Sequence, residues 1–207
     1  MPLIHTIQPA ADTKIGIWHI TEEEAFFREK VSIEPQIHHP HKRLQHLAAR
    51  YLLVALSPGF PVQDICIKKS RKPYLPSSDW HFSLSHCRDW AAAILSNRHA
   101  VGIDVETISN KVERVAHKFL EPGELAFLDL QQLHLHLTLC WCAKEAIYKW
   151  YGEGGIDFRG NMRLEPFALL KAGHINARFI KDGQTWPLHL QYVRYNLFCV
   201  VWVAEQS

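Results

Sequence analysis

Residues 102–106, GIDVE, place two carboxylates at the end of an otherwise apolar run. Residues two apart in a β-strand point to the same side, so Asp104 and Glu106 project together, with their side chains roughly 5–7 Å apart. Carboxylates at that distance repel each other unless a proton or a cation lies between them. The pair is therefore either a strand end that has left the core, with both acids in water, or part of a cation site.

A third carboxylate, Glu145, lies in WCAKEAIYK (141–149), an apolar run with helical spacing. Charged groups in a largely buried helix need partners. Lys144 and Lys149 flank the acid, so local ion pairing is one interpretation. In the other, Glu145 joins the two acids of GIDVE as a hard oxygen ligand for Mg²⁺, which binds through a few carboxylates and substrate phosphates.

Basic and hydroxyl side chains that suit a phosphate precede these acids in three segments: HHPHKR (38–43), RKPY (71–74) and SLSH (83–86). Ser85 and His86 end a predicted strand, where a turn aims a hydroxyl and an imidazole at an anion. Solvated loops are the alternative for the two basic segments, and a structural role is the alternative for the histidine. The order of the segments along the chain is more specific than any one of them.

The hydrophobic pattern predicts the elements that position these residues. Strands are predicted at 14–20, 79–86, 89–96 (with a helix as the alternative there), 100–106, 174–180, 187–193 and 197–203. Helices are predicted at 22–31 with Thr21 as N-cap, at 40–56, and near 111–119, 121–131 and 134–151. KIGIWHI and AVGIDVE share a Gly-Ile core in front of helical sequence, which favours two similar α+β halves, residues 1–98 and 99–207, the second carrying the three acids.

The composition limits the class of protein. Of 207 residues, 47% are hydrophobic and 21% charged, and the net charge of +2 lacks the excess of a general nucleic-acid-binding protein. The five cysteines lack the paired spacing of a zinc site, so we expect reduced thiols. No apolar run reaches the ~18 residues of a membrane span, and the first residues lack the pattern of a secretory signal. We therefore expect no membrane partner and a cytoplasmic location.

The ordered set RKPYL, HFSLSH, VGIDVE, KFLEPGE and WCAKEAIYKWYGEG resembles the 4′-phosphopantetheinyl transferases. Length and motif order are similar to the two-halved, surfactin-synthetase-activating type. The resemblance is strong over 71–155, thinner over 41–57 and poor at both ends. It implies two α+β halves related by pseudo-twofold symmetry in a monomer. It also implies Mg²⁺ as cofactor, coenzyme A as donor, and a serine of an acyl or peptidyl carrier protein as acceptor, with release of 3′,5′-adenosine bisphosphate.

The resemblance implies roles for individual residues. Asp104, Glu106 and Glu145 resemble the metal ligands, and Glu145 is also the implied base for the serine proton. Lys149 matches a catalytic lysine that reaches the pyrophosphate. The further coenzyme contacts that it implies are Arg43, Lys72, Pro73, Ser85, His86 and Lys144.

The chain departs from this family at three positions: many relatives have glycine at position 71 and asparagine at position 83, and a lysine where this chain has Glu153. Phe119 and Leu120 are either a carrier-docking patch or a core face. The rival interpretations of function are another Mg²⁺-dependent phosphate-transfer enzyme and a non-catalytic coenzyme A- or carrier-binding protein of the same fold.

Overall fold

The computed structural model of the chain describes residues 3–205, which form two successive groups of strands and helices. The first group contains β1 (Leu3–Ala10), β2 (Thr13–His19), α1 (Glu24–Val31), α2 (Pro40–Leu56), β3 (Cys66–Ile67), β4 (Pro73–Tyr74), β5 (His81–Cys87) and β6 (Trp90–Ser96). The second contains β7 (Ala100–Thr107), α3 (Ala116–Phe119), α4 (Pro122–Ala126), α5 (Leu133–Tyr151), α6 (Phe158–Asn161), β8 (Met162–Leu164), β9 (Ala172–Lys181), β10 (Gln184–Arg194) and β11 (Phe198–Glu205). Short 3₁₀ turns cover Val62–Asp64, Asn110–Val115 and Leu130–Gln132.

Each group builds its own antiparallel sheet. The first sheet has the strand order β1-β2-β6-β5, and the second has the order β7-β11-β10-β9-β8. β3 and β4 form a separate small hairpin. Helix α2 packs on the first sheet and α5 on the second, and each helix shares a core with the strands beneath it. The α+β class with two similarly built halves is confirmed.

The two sheets also pack against each other through a third, wholly apolar cluster. Residues on β2 and β6 meet side chains from β7 and β11, among them Val101, Ile103 and Val105. Because side chains alternate along a strand, the even-numbered residues of β7 point the other way, toward α5. The acids of GIDVE therefore lie on the helix side of the strand.

Two glycines explain the echo between KIGIWHI and AVGIDVE. A Cβ on Gly16 would lie 2.9 Å from Leu52 on α2, and a Cβ on Gly102 would lie 1.9 Å from the Ala146 carbonyl oxygen on α5. Each Gly-Ile motif thus lies where its half's long helix approaches its sheet. The chain passes from one sheet to the other between β6 and β7. The division into domains at residues 98 and 99 stays a prediction.

Most predicted elements match, and the differences have local causes. Thr21 does not cap α1, which begins at Glu24. The Glu22 carboxylate accepts hydrogen bonds from Trp18 Nε1 and the Thr21 amide, and these bonds hold this part of the chain outside the helix. β1 and the short strands β3, β4 and β8 were not predicted, since none of them has a long alternating apolar pattern. No helix within residues 3–205 is long and apolar enough to cross a membrane.

We expect Gly102→Ala to destabilise the protein. The new methyl group meets backbone atoms of α5, which cannot rotate away, so the helix must shift at a cost of at least about 1–3 kcal/mol. The measurement is the free energy of unfolding in urea. Gly123→Ala is the matched control, because a Cβ there meets nothing within 4 Å. Equal urea midpoints for the two variants would contradict the proposed close packing.

Candidate active site

The approach of α5 to β7 joins Asp104 to Lys149. Lys149 Nζ lies 2.7 Å from Asp104 Oδ1, and Ser85 Oγ donates to the same oxygen at 2.7 Å. Lys149 Nζ also donates to Ser85 Oγ at 2.9 Å, which closes a three-membered network. Asp104 is only 4% exposed, and its other oxygen, Oδ2, is buried without a hydrogen-bond partner. That orphaned oxygen marks a place where the site lacks a positive or donating group.

The other two acids carry raised pKa values for related reasons. Burial, reinforced by the nearby Asp104, raises the pKa of Glu145 to about 7. Burial and Asp104 also raise the pKa of Glu106. Cys87 Sγ donates to Glu106 Oε2 at 3.0 Å, and burial raises the pKa of that thiol to about 11, so it stays protonated. Loss of water is thus the main reason that Glu145 and Glu106 hold a proton more readily than free carboxyls, and the neighbouring Asp104 is the second reason.

All three acids line one open cavity of about 490 Å³, together with Lys149, Pro73, Ser85 and His86. Within residues 3–205, no three carboxylate, imidazole or thiol side chains converge as a preformed metal site. The acids share the cavity, but the Lys149 ammonium contacts Oδ1 of Asp104. The metal role of the acids stays a prediction.

Four basic side chains from the first half of the chain line the same cavity: His46, Arg50, Arg71 and His86. Burial lowers the pKa of Arg50 to about 10, and burial with the neighbouring Arg50 lowers the pKa of His46 to about 4. Partial burial and Lys149 lower the pKa of His86. Among the residues that the structure describes, Arg50 and Arg71 form no ion pair with an acid, and two such guanidinium groups lining one cleft are suited to a bound anion.

Arg50 and His46 were not predicted from the sequence, whereas Arg43 was. Arg43 lies on α2 but faces α1, where its Nε contacts Glu24 Oε1 at 2.8 Å and its Nη1 donates to the Ile37 carbonyl. Arg43 does not line the cavity. The signal that could have found the other two is their spacing of four residues, which places both on one face of α2.

Lys144 lies in the core, and this corrects its expected contact with coenzyme A. Its ammonium is fully buried and contacts the Glu124 carboxylate at 2.8 Å. It also donates to the carbonyls of Phe119, Phe158 and Met162, so no N–H remains for a phosphate. Lys144 therefore ties α5 to the segments around it and is not proposed as a coenzyme ligand.

Phe119 and Leu120 are 2% and 0% exposed, so they form a core face and the docking-patch alternative is wrong.

The β3–β4 hairpin connects the first half to the end of α5. Lys72 Nζ donates to the Trp150 carbonyl at 2.8 Å, and Ser70 Oγ donates to the Gly152 carbonyl at 2.5 Å. Burial lowers the pKa of Lys72 to about 8. Arg71, at the turn, has a φ of 69°, in the left-handed region that favours glycine. A second cavity, of about 260 Å³, lies beside the first. Lys72 lines only this second cavity, whereas Arg71, Pro73 and Lys149 line both.

Comparison with known proteins decides the family. The profile of the 4′-phosphopantetheinyl transferase superfamily matches residues 100–203, half of the chain. The chain belongs to this superfamily. The matched region contains β7 and α5, and with them the three acids and Lys149.

Individual transferases of the superfamily are similar over parts of the chain. The 4′-phosphopantetheinyl transferase gsp of Aneurinibacillus migulanus is 31% identical over 113 residues, which cover 52% of this chain and 46% of the relative. A Haemophilus influenzae protein provisionally assigned as a 4′-phosphopantetheinyl transferase is 31% identical over 159 residues, 72% of this chain and 64% of the relative. Enterobactin synthase component D of Salmonella typhi is 31% identical over 144 residues, which cover 67% of this chain and 58% of the relative. The chain spans about half to two thirds of the length of these relatives.

If Lys144 is structural, its loss should lower stability strongly. Lys144→Met leaves the Glu124 carboxylate buried without its cation, a change that costs about 3–5 kcal/mol. Lys68→Met is the matched control. It breaks the Lys68–Glu153 pair, whose partners are 38% and 57% exposed, so we expect a cost of about 0–1 kcal/mol.

Chemical unfolding of both variants measures the difference. The double variant Lys144→Met/Glu124→Gln should recover part of the lost stability. A Lys144→Met protein of normal stability that binds coenzyme A weakly would instead restore Lys144 as a ligand.

Proposed function

We propose that the chain transfers the 4′-phosphopantetheine group of coenzyme A to a serine of an acyl or peptidyl carrier protein. One observation carries the proposal: a single cavity joins three acids of β7 and α5 to two arginines and two histidines from α2 and the β3–β4 and β5 segments. A donor with a pyrophosphate and a further phosphate needs both kinds of group. Because both halves lie in one chain, we propose that it acts as a monomer, with residues 1–98 and 99–207 as its two domains.

The acids fit a divalent cation. Asp104 Oδ2 lacks a partner, and Glu106 and Glu145 have raised pKa values because they face another acid in a partly dry site. Oxygen ligands of this kind suit Mg²⁺. When bound, Mg²⁺ supplies positive charge that offsets the charge of the pyrophosphate. Lys149, held beside Asp104, adds a second positive charge and donates to a pyrophosphate oxygen.

The reaction is displacement at phosphorus. The serine oxygen forms a bond to the β-phosphorus of coenzyme A, and the bond from that phosphorus to the bridging oxygen breaks. The serine proton passes to Glu145, and 3′,5′-adenosine bisphosphate leaves. Burial raises the pKa of Glu145 to about 7 in the metal-free protein, which suits a proton acceptor at neutral pH as long as the carboxylate is not itself bound to the cation. Phosphoryl transfer otherwise depends on position and on charge neutralisation.

A third cavity, of about 370 Å³, offers the acceptor a route to the acids. It shares Glu106 and Trp141 with the 490 Å³ cavity, which we call the donor cavity, and is also lined by Arg88, Lys111 and Val112. We propose that the carrier serine enters from this side. The buried Phe119 ring supports this surface, because it packs edge-on against Trp141 with the ring centroids 5.0 Å apart.

The direct test is mass spectrometry of an apo carrier protein after incubation with coenzyme A and Mg²⁺. The expected product gains one phosphopantetheine group and yields one 3′,5′-adenosine bisphosphate. Asp104→Ala should abolish transfer, because the acids lose the member that connects β7 to Lys149. A folded wild-type chain that binds coenzyme A but modifies no carrier would favour the non-catalytic alternative.

We expect Arg50→Met to weaken binding of coenzyme A through its 3′-phosphate. The Michaelis constant should rise about tenfold or more for coenzyme A, the size of one lost charge-assisted contact, and much less for 3′-dephospho-coenzyme A. His86→Ala should behave alike. Arg43→Met, on the same helix but bound to Glu24, is the control and should change neither constant. Equal losses with both donors would mean that Arg50 and His86 act elsewhere.

We expect Mg²⁺ binding at saturating coenzyme A to weaken as the pH falls from 8 to 6. In the metal-free protein Glu145 holds a proton below about pH 7, which the cation must displace. Calorimetry in buffers of different ionisation enthalpy measures the proton released. Glu145→Gln should remove that release and lower kcat by roughly 10²–10⁴.

Glu153→Gln is the control for that change, because this exposed acid pairs with Lys68 outside the cavity. Unchanged proton release in the Glu145 variant would exclude it as a metal ligand.

A further inference from the structure

A large groove lies on the far side of Ile108 from the proposed acceptor route. It has a volume of about 970 Å³ and runs between the start of β11, the loop before it and the first turn of α5. Its floor is a stack of aromatic rings: the centroids of Trp90 and Phe198 are 4.0 Å apart, and those of Phe198 and Tyr195 are 4.4 Å apart. We call it the basic groove. Nothing in the proposed chemistry uses it.

The charge of this groove is one-sided. Lys171 and Arg194 line it, and no aspartate or glutamate does so among the residues that the structure describes. The two residues are neighbours through their backbones, since the Arg194 amide donates to the Lys171 carbonyl at 2.9 Å. Between residues 3 and 205 neither cation forms an ion pair with an acid, whereas His134 at the wall contacts Glu113 at 3.3 Å. The groove therefore suits an acidic partner.

Apolar side chains surround these cations. Leu197 lines the groove and is 70% exposed, while Leu130 and Leu170, which are next to lining residues, are 81% and 55% exposed. Of the large hydrophobic residues described as exposed, most flank this one groove. Exposed apolar groups beside unpaired charge are typical of protein contact surfaces rather than of small-anion sites.

The groove is continuous with the acid end of β7. The Ile108 amide donates to the Leu197 carbonyl at 2.9 Å, and Ile108 follows Glu106 by two residues. A protein whose serine reaches the three acids from the acceptor side would extend over this rim. A second copy of this chain is a poor occupant, because two basic grooves facing each other repel.

We propose that the basic groove holds an acidic segment of the acceptor protein that carries an apolar face. Its carboxylates contact Lys171 and Arg194, and its apolar side chains cover Leu197 and the aromatic floor. The inference rests on the proposed function, since it names where the acceptor of that reaction docks beyond its serine. Docking there raises the affinity for the acceptor and leaves the handling of coenzyme A unchanged.

The test compares charge reversals on the same sheet. Lys171→Glu and Arg194→Glu, alone and combined, should raise the Michaelis constant for an apo acyl carrier protein about tenfold or more, as expected for opposed charges in an interface. The Michaelis constant for coenzyme A and kcat at saturating carrier should stay within about twofold. Arg178→Glu is the matched control, because Arg178 is exposed on β9 but does not line the groove. Leu197→Ser probes the apolar contact without changing charge.

Carrier binding is measured separately by calorimetry without coenzyme A, so that the two proposals can fail independently. If the groove variants transfer the group and bind the carrier as well as the Arg178 control does, the proposed docking in the groove is overturned and the proposed function stays intact. The wild-type chain could also bind the carrier but never modify it. Weaker carrier binding by the groove variants would then support the groove and overturn the function. A wild-type chain that neither binds nor modifies the carrier would overturn both. A dimer in sedimentation that the groove variants disrupt, with an unchanged carrier constant, would replace the carrier by a second copy.

Discussion

The site depends on the close approach of two backbones. Helix α5 contacts β7 at Gly102, where any side chain would overlap the Ala146 carbonyl and approach the Trp150 amide. This contact sets the depth and the rotation of the helix. Glu145 and Lys149, each one residue before a contact point, are thereby turned toward the cavity and toward Asp104 on the strand. A helix displaced by one methyl group would separate Lys149 from Asp104 and leave a carboxylate buried without a cation.

Electrostatics in the cavity follow from this geometry. Oδ1 of Asp104 accepts hydrogen bonds from Lys149 and Ser85, whereas Oδ2 has no hydrogen-bond partner among the residues that the structure describes. Glu145, which lacks a comparable partner, responds by a higher pKa. Across the cleft, burial lowers the pKa of Arg50, and burial together with the charge of Arg50 lowers the pKa of His46. A ligand that brings a divalent cation to the acids and phosphates to the arginines would offset both effects.

The sequence predicts the acids better than the cations, and the reason is physical. Strand alternation and the GIDVE pattern are local, so the side on which Asp104 and Glu106 project follows from two residues. The partners of a lysine or arginine depend on tertiary packing. Lys144 and Lys149 are five residues apart on one helix, yet one is in the core and the other in the cavity. Arg43 and Arg50 likewise share α2, but only the helix's rotation against the first sheet decides which one meets Glu24 and which one lines the cleft.

The hairpin at 66–74 accounts for the charge reversal at Glu153. Many relatives have lysine there, and an acid near a phosphate site would oppose the ligand. Here Lys68 contacts Glu153 at 2.7 Å and lowers the pKa of that carboxyl, so the pair is neutral, and neither residue lines the donor cavity. The exposed ion pair adds little stability by itself. Its value is positional, because with Ser70 and Lys72 it fastens the hairpin to the end of α5 and keeps Arg71 and Pro73 at the edge of the cleft. A positive charge is thus retained at the cavity by Arg71, although the residue that usually supplies one has changed sign.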